Sequence, residues 1–369
     1  MLEVADVFRR YGGTYLQRFG PQMLPSHRRA FDDILACRTA AMGGHLYHCN
    51  RCGHVQYAYH SCKNRSCPKC QTDQTEIWLE QRRQELLAVP HFHLVFTLPQ
   101  ELRGFVRQHQ RKLYGVLLKA AAHSLMKLAA DPRYVGGRLA ILAVLHTWTR
   151  TLGYHPHAHL LVPAGGVTDD HCWVRARKDY LVPVQALSLI FRATFLQMAR
   201  KALPGEKIPQ VPWSKSWWID CRATVQGTER VLQYLARYLF KTAFSNHRLI
   251  SIEGGQVTFR YQKCGERQWR ITRLAAHEFI RRFLQHVLPR GTHKVRYYGL
   301  WNPANRPLLR RIQLLVGVRL IPTATHEHSN DNRDRTADEP FPKRRTCPHC
   351  RQGTLVLTEI LPRQPRAPP

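Results

Sequence analysis

The chain has 369 residues, of which 56 are Lys or Arg and 25 Asp or Glu, a net charge of +31. That imbalance gives the surface a broad positive field suited to a polyanion, with binding that weakens steeply as salt rises. Membrane spanning is excluded as an expectation, because no stretch reaches the ~18 uninterrupted apolar residues that it needs.

The N-terminus, M-L-E-V-A-D-V-F-R-R, carries early acids and no apolar core segment, so no secretory signal is expected. Eleven cysteines without an export signal point to thiolates holding metal in a reducing cytoplasm rather than to disulfides. A cytoplasmic, nucleoid-associated bacterial protein fits these features.

Phe8 to Phe19 and Pro25 to Leu35 have helical periodicity, separated by the turn pair Gly20-Pro21. Six cysteines follow: Cys37, Cys49, Cys52, Cys62, Cys67 and Cys70. Cys49-x-x-Cys52 and Cys67-x-x-Cys70 read as two knuckles that together close a tetrahedral structural zinc site. Cys37 and Cys62 are then surplus. They complete a second site, replace one of the four, or sit as buried thiols, and spacing leaves these open. Lys63 and Arg65 lie inside the cluster, with Tyr57 and Tyr59 just before it, a composition suited to gripping nucleic acid. A solvated basic face is the plainer reading.

A charged helix is expected from Gln71 to Leu87. His91 to Leu98 alternates as a strand, with His91, His93, Val95 and Thr97 on one face. Leu102 to Ala130 reads as helix and Leu139 to Trp148 as strand. H-P-H-A-H-L-L-V, from His155 to Val162, is the stretch richest in chemistry. As a strand it presents His155, His157, His159 and Leu161 on one face and packs Pro156, Ala158, Leu160 and Val162 on the other. A lone histidine is more often a satisfied core residue, but three alternating imidazoles are pre-aimed at one metal ion. His93 joins them if its strand lies alongside.

Val184 to Leu203 is helical and Trp217 to Val225 alternates as a strand. Thr228 to Phe244 then reads as a helix with Leu232, Leu235, Ala236, Leu239 and Ala243 on its apolar face. Arg230, Tyr234, Arg237, Tyr238 and Lys241 gather opposite, two phenols among three cations. Such cations hold a phosphodiester and draw a phenol's pKa below its usual ~10. Aromatic packing is the ordinary alternative for either tyrosine. Further on, Val257 to Tyr261 and Gln268 to Thr272 form an expected hairpin, Leu274 to Leu288 a helix, and Lys294 to Leu300 a strand. Beyond Pro322 the composition predicts disorder. Cys347-x-x-Cys350 is half a knuckle there, with His326 and His328 as possible partners. Cys172, Cys221 and Cys264 stand alone and are read as structural.

Two blocks carry a family resemblance. His157-Ala158-His159 with Leu160-Leu161-Val162 resembles the histidine–hydrophobic–histidine (HUH) signature of rolling-circle nucleases, and Tyr234-Leu-Ala-Arg-Tyr238 resembles the paired tyrosines of two-tyrosine transposases of the IS91 family. The cysteine segment, F-H-L-V-F-T-L-P, H-P-H-A-H with its following Gly-Gly, and V-R-Y-Y-G-L are similar to other blocks of that family, in the same order. The resemblance implies Tyr234 and Tyr238 as nucleophiles and His157 and His159 as ligands of Mg2+ or Mn2+, with His155 and His93 both open as the third. It also implies Zn2+ in the N-terminal module and, as partner, the single-stranded or hairpin DNA ends of the element.

The expected fold is α+β: an antiparallel-sheet palm flanked by helices, preceded by a small helical and zinc-knuckle unit. The expected divisions are 1–88 (DNA recognition), 89–310 (catalysis) and 311–369 (a basic tail). A plasmid replication initiator, a non-catalytic zinc protein that binds nucleic acid, and a water-using metal nuclease are the rival functions.

Overall fold

The computed structural model describes residues 2–70, 79, 82–223, 242–263, 266, 268–317 and 345–365. Its elements are α1 (Val4–Phe19), α2 (Pro25–Ala36), β1 (Gly44–Cys49), β2 (Val55–Tyr59), β3 (His91–Thr97), α3 (Gln100–Gln108), α4 (Gln110–Ala129), β4 (Ala140–Trp148), β5 (Tyr154–Pro163), β6 (Gly165–Val167), β7 (Trp173–Arg175), α5 (Val184–Ala202) and β8 (Ile219–Ala223). They continue with β9 (Leu249–Glu253), β10 (Gln256–Gln262), β11 (Trp269–Ala275), α6 (Ala276–Leu284), β12 (Val295–Gly299), α7 (Arg306–Leu315), β13 (Arg345–Thr346) and β14 (Thr354–Leu361). The architecture is mixed α/β with antiparallel sheets, as the alternation and helical periods predict. Residues 224–241, which include Tyr234, Tyr238, Arg230, Arg237 and Lys241, lie outside the described residues, as does most of the helix expected from Gln71.

The central sheet has five strands in the order β12-β4-β5-β3-β8, every neighbouring pair antiparallel. Side-chain alternation divides its residues as the sequence predicts. Phe92, Leu94 and Phe96 of β3, Ile141, Ala143 and Leu145 of β4, and Ala158, Leu160 and Val162 of β5 enter one core with α3, α4 and α5. The long helix expected from Leu102 is two helices meeting at His109. On the opposite face, Leu142, Val144 and Leu161 pack under Leu86, Leu87, Trp301 and, from α7, Leu309 and Ile312. That cover lies over the Leu142–Leu161 end of the sheet. His93 of β3, His146 of β4, and His157 and His159 of β5 continue the same face beyond it, whereas His91 stacks against Trp301 under the cover.

Proline inside a central strand removes a ladder donor and belongs at a bulge. Pro156 obeys this: β4 and β5 pair in one register up to His146–His157, then shift by one residue to Trp148–Tyr154. Two residues of β5, His155 and Pro156, therefore oppose Thr147 alone. Such bulges bend a strand and re-aim the side chains beside them.

The N-terminal helices do not form a core of their own. Phe8 of α1 stacks on Phe31 of α2 at 4.8 Å and meets Phe283 of α6 edge-on at 5.6 Å. The same core takes in Phe244, Phe259 of β10 and Phe279 of α6. Strand β9, unexpected from the sequence, makes a three-stranded sheet of the predicted hairpin, in the order β11-β10-β9.

The expected disorder of the tail is corrected over residues 345–365. There β14 pairs with β1 from Gly44–Leu361 to Cys49–Leu355, in a four-stranded sheet of order β13-β14-β1-β2. Compositional polarity misled here because a strand lying on an existing sheet edge needs few apolar residues of its own. Gly43, at φ +66°, permits the close passage: a Cβ there would lie 2.6 Å from the Leu361 carbonyl oxygen.

Candidate functional site

Three imidazoles converge on the half of the central sheet beyond that cover. Ligand nitrogens of His146, His157 and His159 lie within 4.8 Å of one another. Strand β5 supplies two of them at i and i+2, and β4 supplies the third directly across from His157. Ring centroids are 4.4 Å apart for His146 and His159, 4.9 Å for His157 and His159, and 5.5 Å for His146 and His157.

Hydrogen bonds orient two of these rings. The bulge brings the His155 carbonyl to 2.6 Å from His157 Nδ1. Since a carbonyl only accepts, Nδ1 carries the proton and Nε2 is left with a lone pair. His159 Nδ1 lies 2.9 Å from His93 Nε2, and those two rings stack. Burial pushes His93, His155 and His157 down to about 4, and the Arg103 charge adds to this at His155 and His157. At neutral pH these rings are uncharged, the form that ligates metal.

The predicted strand face is therefore present, but both candidates for the third position fall elsewhere. His155 packs 5.1 Å from His157 without joining the convergent nitrogens, because the bulge turns it aside. His93 sits behind His159 as its hydrogen-bond partner. The residue that joins them is His146, which the sequence does not mark: one histidine in the apolar run from Leu139 carries little signal until the β4–β5 register is known. Trp148 stacks on His146 at 4.5 Å, and Lys294 lies 5.3 Å from the Trp148 ring centre.

An all-imidazole set fits a divalent cation, and by donor chemistry alone it suits zinc or copper better than the harder Mg2+ and Mn2+. The chain on both sides of residues 224–241 touches this sheet. Arg222 of β8 is paired in register with His93, and Thr242 lines a small cavity with Trp148 and Lys294.

The cysteines are regrouped relative to the expectation. Cys49 and Cys52 do not meet Cys67 and Cys70. Instead Cys37, Cys62, Cys67 and Cys70 form one cluster, and Cys49, Cys52, Cys347 and Cys350 another. Spacing misled because Cys37, at the end of α2, and Cys62 lie within reach of the Cys67 knuckle, while β1 and β2 carry the first knuckle away. In the first cluster Cys70 Sγ lies 3.1 Å from Cys37 Sγ and 3.4 Å from Cys62 Sγ. Asn64 shapes this knuckle, accepting from the Ser66 N–H at 2.9 Å and donating to Asp33 at 2.9 Å. Four thiols this close cannot all ionise without a cation among them, and that donor set fits structural zinc.

Arg65, expected to contact DNA, is exposed and is also bonded within the fold. Its guanidinium donates to the carbonyls of Thr292, Leu288 and Pro289, at 2.6, 3.0 and 3.0 Å, and so ties the cysteine loop to the segment after α6. Lys63 is exposed, with its backbone at φ +53°. Tyr57 and Tyr59 stack at 5.8 Å on β2, with Tyr57 exposed. Cys221 packs against the main core, whereas Cys172 is exposed. No helix among the described residues is long and apolar enough to cross a membrane.

Comparison with known proteins bears on both sites. Residues 7–98 match a family described as the transposase zinc-binding domain, and residues 140–307 match one described as putative transposase. Over 97% of this chain and 95% of the relative, it is 39% identical to the putative transposase y4qJ of Sinorhizobium fredii. It is 29% identical to the transposase for insertion sequence element IS801 of Pseudomonas savastanoi pv. phaseolicola, over 72% of this chain and 68% of the relative. No solved structure matches the chain.

Proposed function

The chain belongs to the IS91 family of transposases, with an N-terminal zinc-binding domain, and from this we propose that it cleaves and rejoins single-stranded DNA through a covalent phosphotyrosine during rolling-circle transposition of an insertion sequence. The observation that carries the reading is the convergence of His146, His157 and His159 from two adjacent strands. In this reading the central sheet is a palm of the HUH type, residues 1–88 recognise DNA, and the histidines hold Mg2+ or Mn2+. The ion, when bound, polarises the scissile phosphate and offsets charge gathering on it.

Tyr234 or Tyr238 is the nucleophile. Its phenol oxygen forms a bond to phosphorus and gives up its proton, while the bond from phosphorus to the 3′ oxygen breaks and that oxygen leaves as a hydroxyl. The 5′ end is then held on the protein as a phosphotyrosine. Because a diester bond is kept, a 3′-hydroxyl on another strand can reverse the step, and a second tyrosine allows two strand ends to be held together. Arg230, Arg237 and Lys241 neutralise phosphate charge around the phenols. His157 contributes a neutral Nε2 lone pair through its bond to the His155 carbonyl, and His159 is oriented by His93 at its Nδ1. Zinc in the cluster Cys37, Cys62, Cys67 and Cys70 sets the shape of the N-terminal module. The positive charge of the chain favours DNA in its cytoplasmic, nucleoid setting.

The test is cleavage of single-stranded oligonucleotides taken from the ends of the element, with Mg2+ or Mn2+, followed on denaturing gels. The expected products are a fragment with a free 3′-hydroxyl and a protein-bound 5′ fragment, both lost in the Tyr234→Phe, Tyr238→Phe double variant. Cleavage that survives the double change would identify a water-using metal nuclease instead. Tight binding without cleavage of those ends would favour a zinc protein that only binds nucleic acid.

A further inference from the structure

We propose that Cys49, Cys52, Cys347 and Cys350 form a second structural zinc site, a clasp that fastens the C-terminal strand to the N-terminal module. The zinc-binding domain match ends at residue 98, so it contains only one of the two knuckles. The other arrives from 295 or more residues along the chain.

The four sulfurs lie within 4.8 Å of one another. Across the two knuckles, Cys49 Sγ is 3.7 Å from Cys350 Sγ and Cys52 Sγ is 3.8 Å from Cys347 Sγ. A tetrahedron of thiolates about 2.3 Å from a central zinc has sulfur–sulfur edges of about 3.8 Å. The two contacts between the knuckles therefore already stand at the separation that the ion demands.

Each pair also sits in the turn that such a site uses. In the first knuckle the Arg51 N–H points to Cys49 Sγ at 3.4 Å, and the Gly53 N–H returns to the Cys49 carbonyl at 3.1 Å. In the second, the Gly353 N–H points to Cys350 Sγ at 3.3 Å, and the Arg351 N–H returns to the Cys347 carbonyl at 2.9 Å. These N–H groups stabilise sulfur in its charged, ligating form. Asn50 joins the turns: its side-chain oxygen accepts from the Thr354 N–H at 2.9 Å, and its own N–H donates to the Thr354 carbonyl at 3.1 Å. At Gly353 a Cβ would stand 2.3 Å from Cys49 Sγ, so only glycine lets the knuckles close on each other.

Packing alone is a weak fastening for this strand. The local core has four buried residues, Tyr47, Cys49, Cys347 and Leu355, two of them ligands. Val356, Leu357 and Ile360 of β14 are exposed. A unit this small needs a metal or a covalent staple to be stable.

Zinc content tests the clasp without reference to DNA cleavage, so its outcome stands apart from that of the strand-transfer reading. The full chain carrying His157→Ala and His159→Ala, which removes the histidine site, is purified in reducing buffer and its zinc counted by atomic emission. Two zinc ions per chain are expected, and one in either Cys347→Ser with Cys350→Ser or Cys49→Ser with Cys52→Ser. An unchanged count in both serine pairs, or one ion in the starting chain, would overturn the proposal. If the serine pairs precipitate, Cys350→His keeps a donor: with cobalt in place of zinc, it should alter the sulfur-to-cobalt absorption of one site and leave the other. A protease site inserted between residues 318 and 344 tests the fastening itself. After cutting, the C-terminal fragment should co-elute with the body and separate when a chelator is added. A fragment that stays bound without metal would show that strand pairing alone holds it.

Discussion

At the scale of single residues, the histidines divide into those that converge and those that orient. His146 faces His157 across the strand pair and supplies the third nitrogen. His146→Ala should therefore abolish metal-dependent cleavage to the same extent as His157→Ala, while single-strand binding stays within about threefold. His93 touches His159 and not the shared centre. Loss of such an orienting partner costs about 10–100-fold in metal affinity or activity, so His93→Ala should retain measurable cleavage and respond to added Mn2+. Equal, complete loss in both variants, checked by Mn2+ titration, would mean that His93 is itself a ligand. Arg65 presents the opposite case, a basic residue whose guanidinium is held by three carbonyls. Charge-assisted bonds of this kind contribute ~1.5–3 kcal/mol each at most. Arg65→Ala should thus lower the urea midpoint, with a DNA affinity change no larger than one surface charge produces.

At the scale of elements, the strands of the central sheet and the helices packed on it are legible because their apolar periods are strong. The β5 sequence shows its two faces in the alternation of His157, Ala158, His159 and Leu160. What alternation cannot show is register. The shift opposite Pro156 turns His155 aside and brings its carbonyl to His157, and only the pairing of β4 with β5 brings in His146. The cysteines teach the same lesson at longer range. Two pairs with knuckle spacing were read as one site, yet each pair found its partners through the path of the chain: Cys67 and Cys70 with Cys37 and Cys62, Cys49 and Cys52 with a tail 295 residues away. The N-terminal helices depend on a distant element too. Phe8 is 1% exposed between Phe31 and Phe283, and Phe8→Ala should destabilise the chain by about 3–5 kcal/mol in urea unfolding.

At the scale of the whole molecule, burial of imidazoles ties stability to pH. His27 and His91 are pushed down to about 4 and His286 to about 3, in each case chiefly by burial. Between the ordinary histidine value of about 6.5 and those values, the unfolded chain binds more protons than the folded one. Stability from these groups is complete above pH 6.5 and is lost as pH falls through the window down to about 4. Urea midpoints should be flat from pH 7 to 8 and fall steadily from pH 6.5 to 4.5. A midpoint that rises on acidification would contradict the neutral, buried state of these rings. The same molecule carries a charge of +31, and salt should weaken its hold on DNA at every sequence alike. The central claim, that a tyrosine of residues 224–241 forms the covalent bond to DNA, is tested most directly by mass spectrometry of the adduct. Wild-type protein is trapped on an element-end oligonucleotide with Mn2+, digested with nuclease and protease, and its nucleotide-bearing peptide sequenced. A nucleotide linked to Tyr234 or Tyr238 is the expected result. A nucleotide on any other residue, or efficient cleavage with no linked peptide, would contradict it.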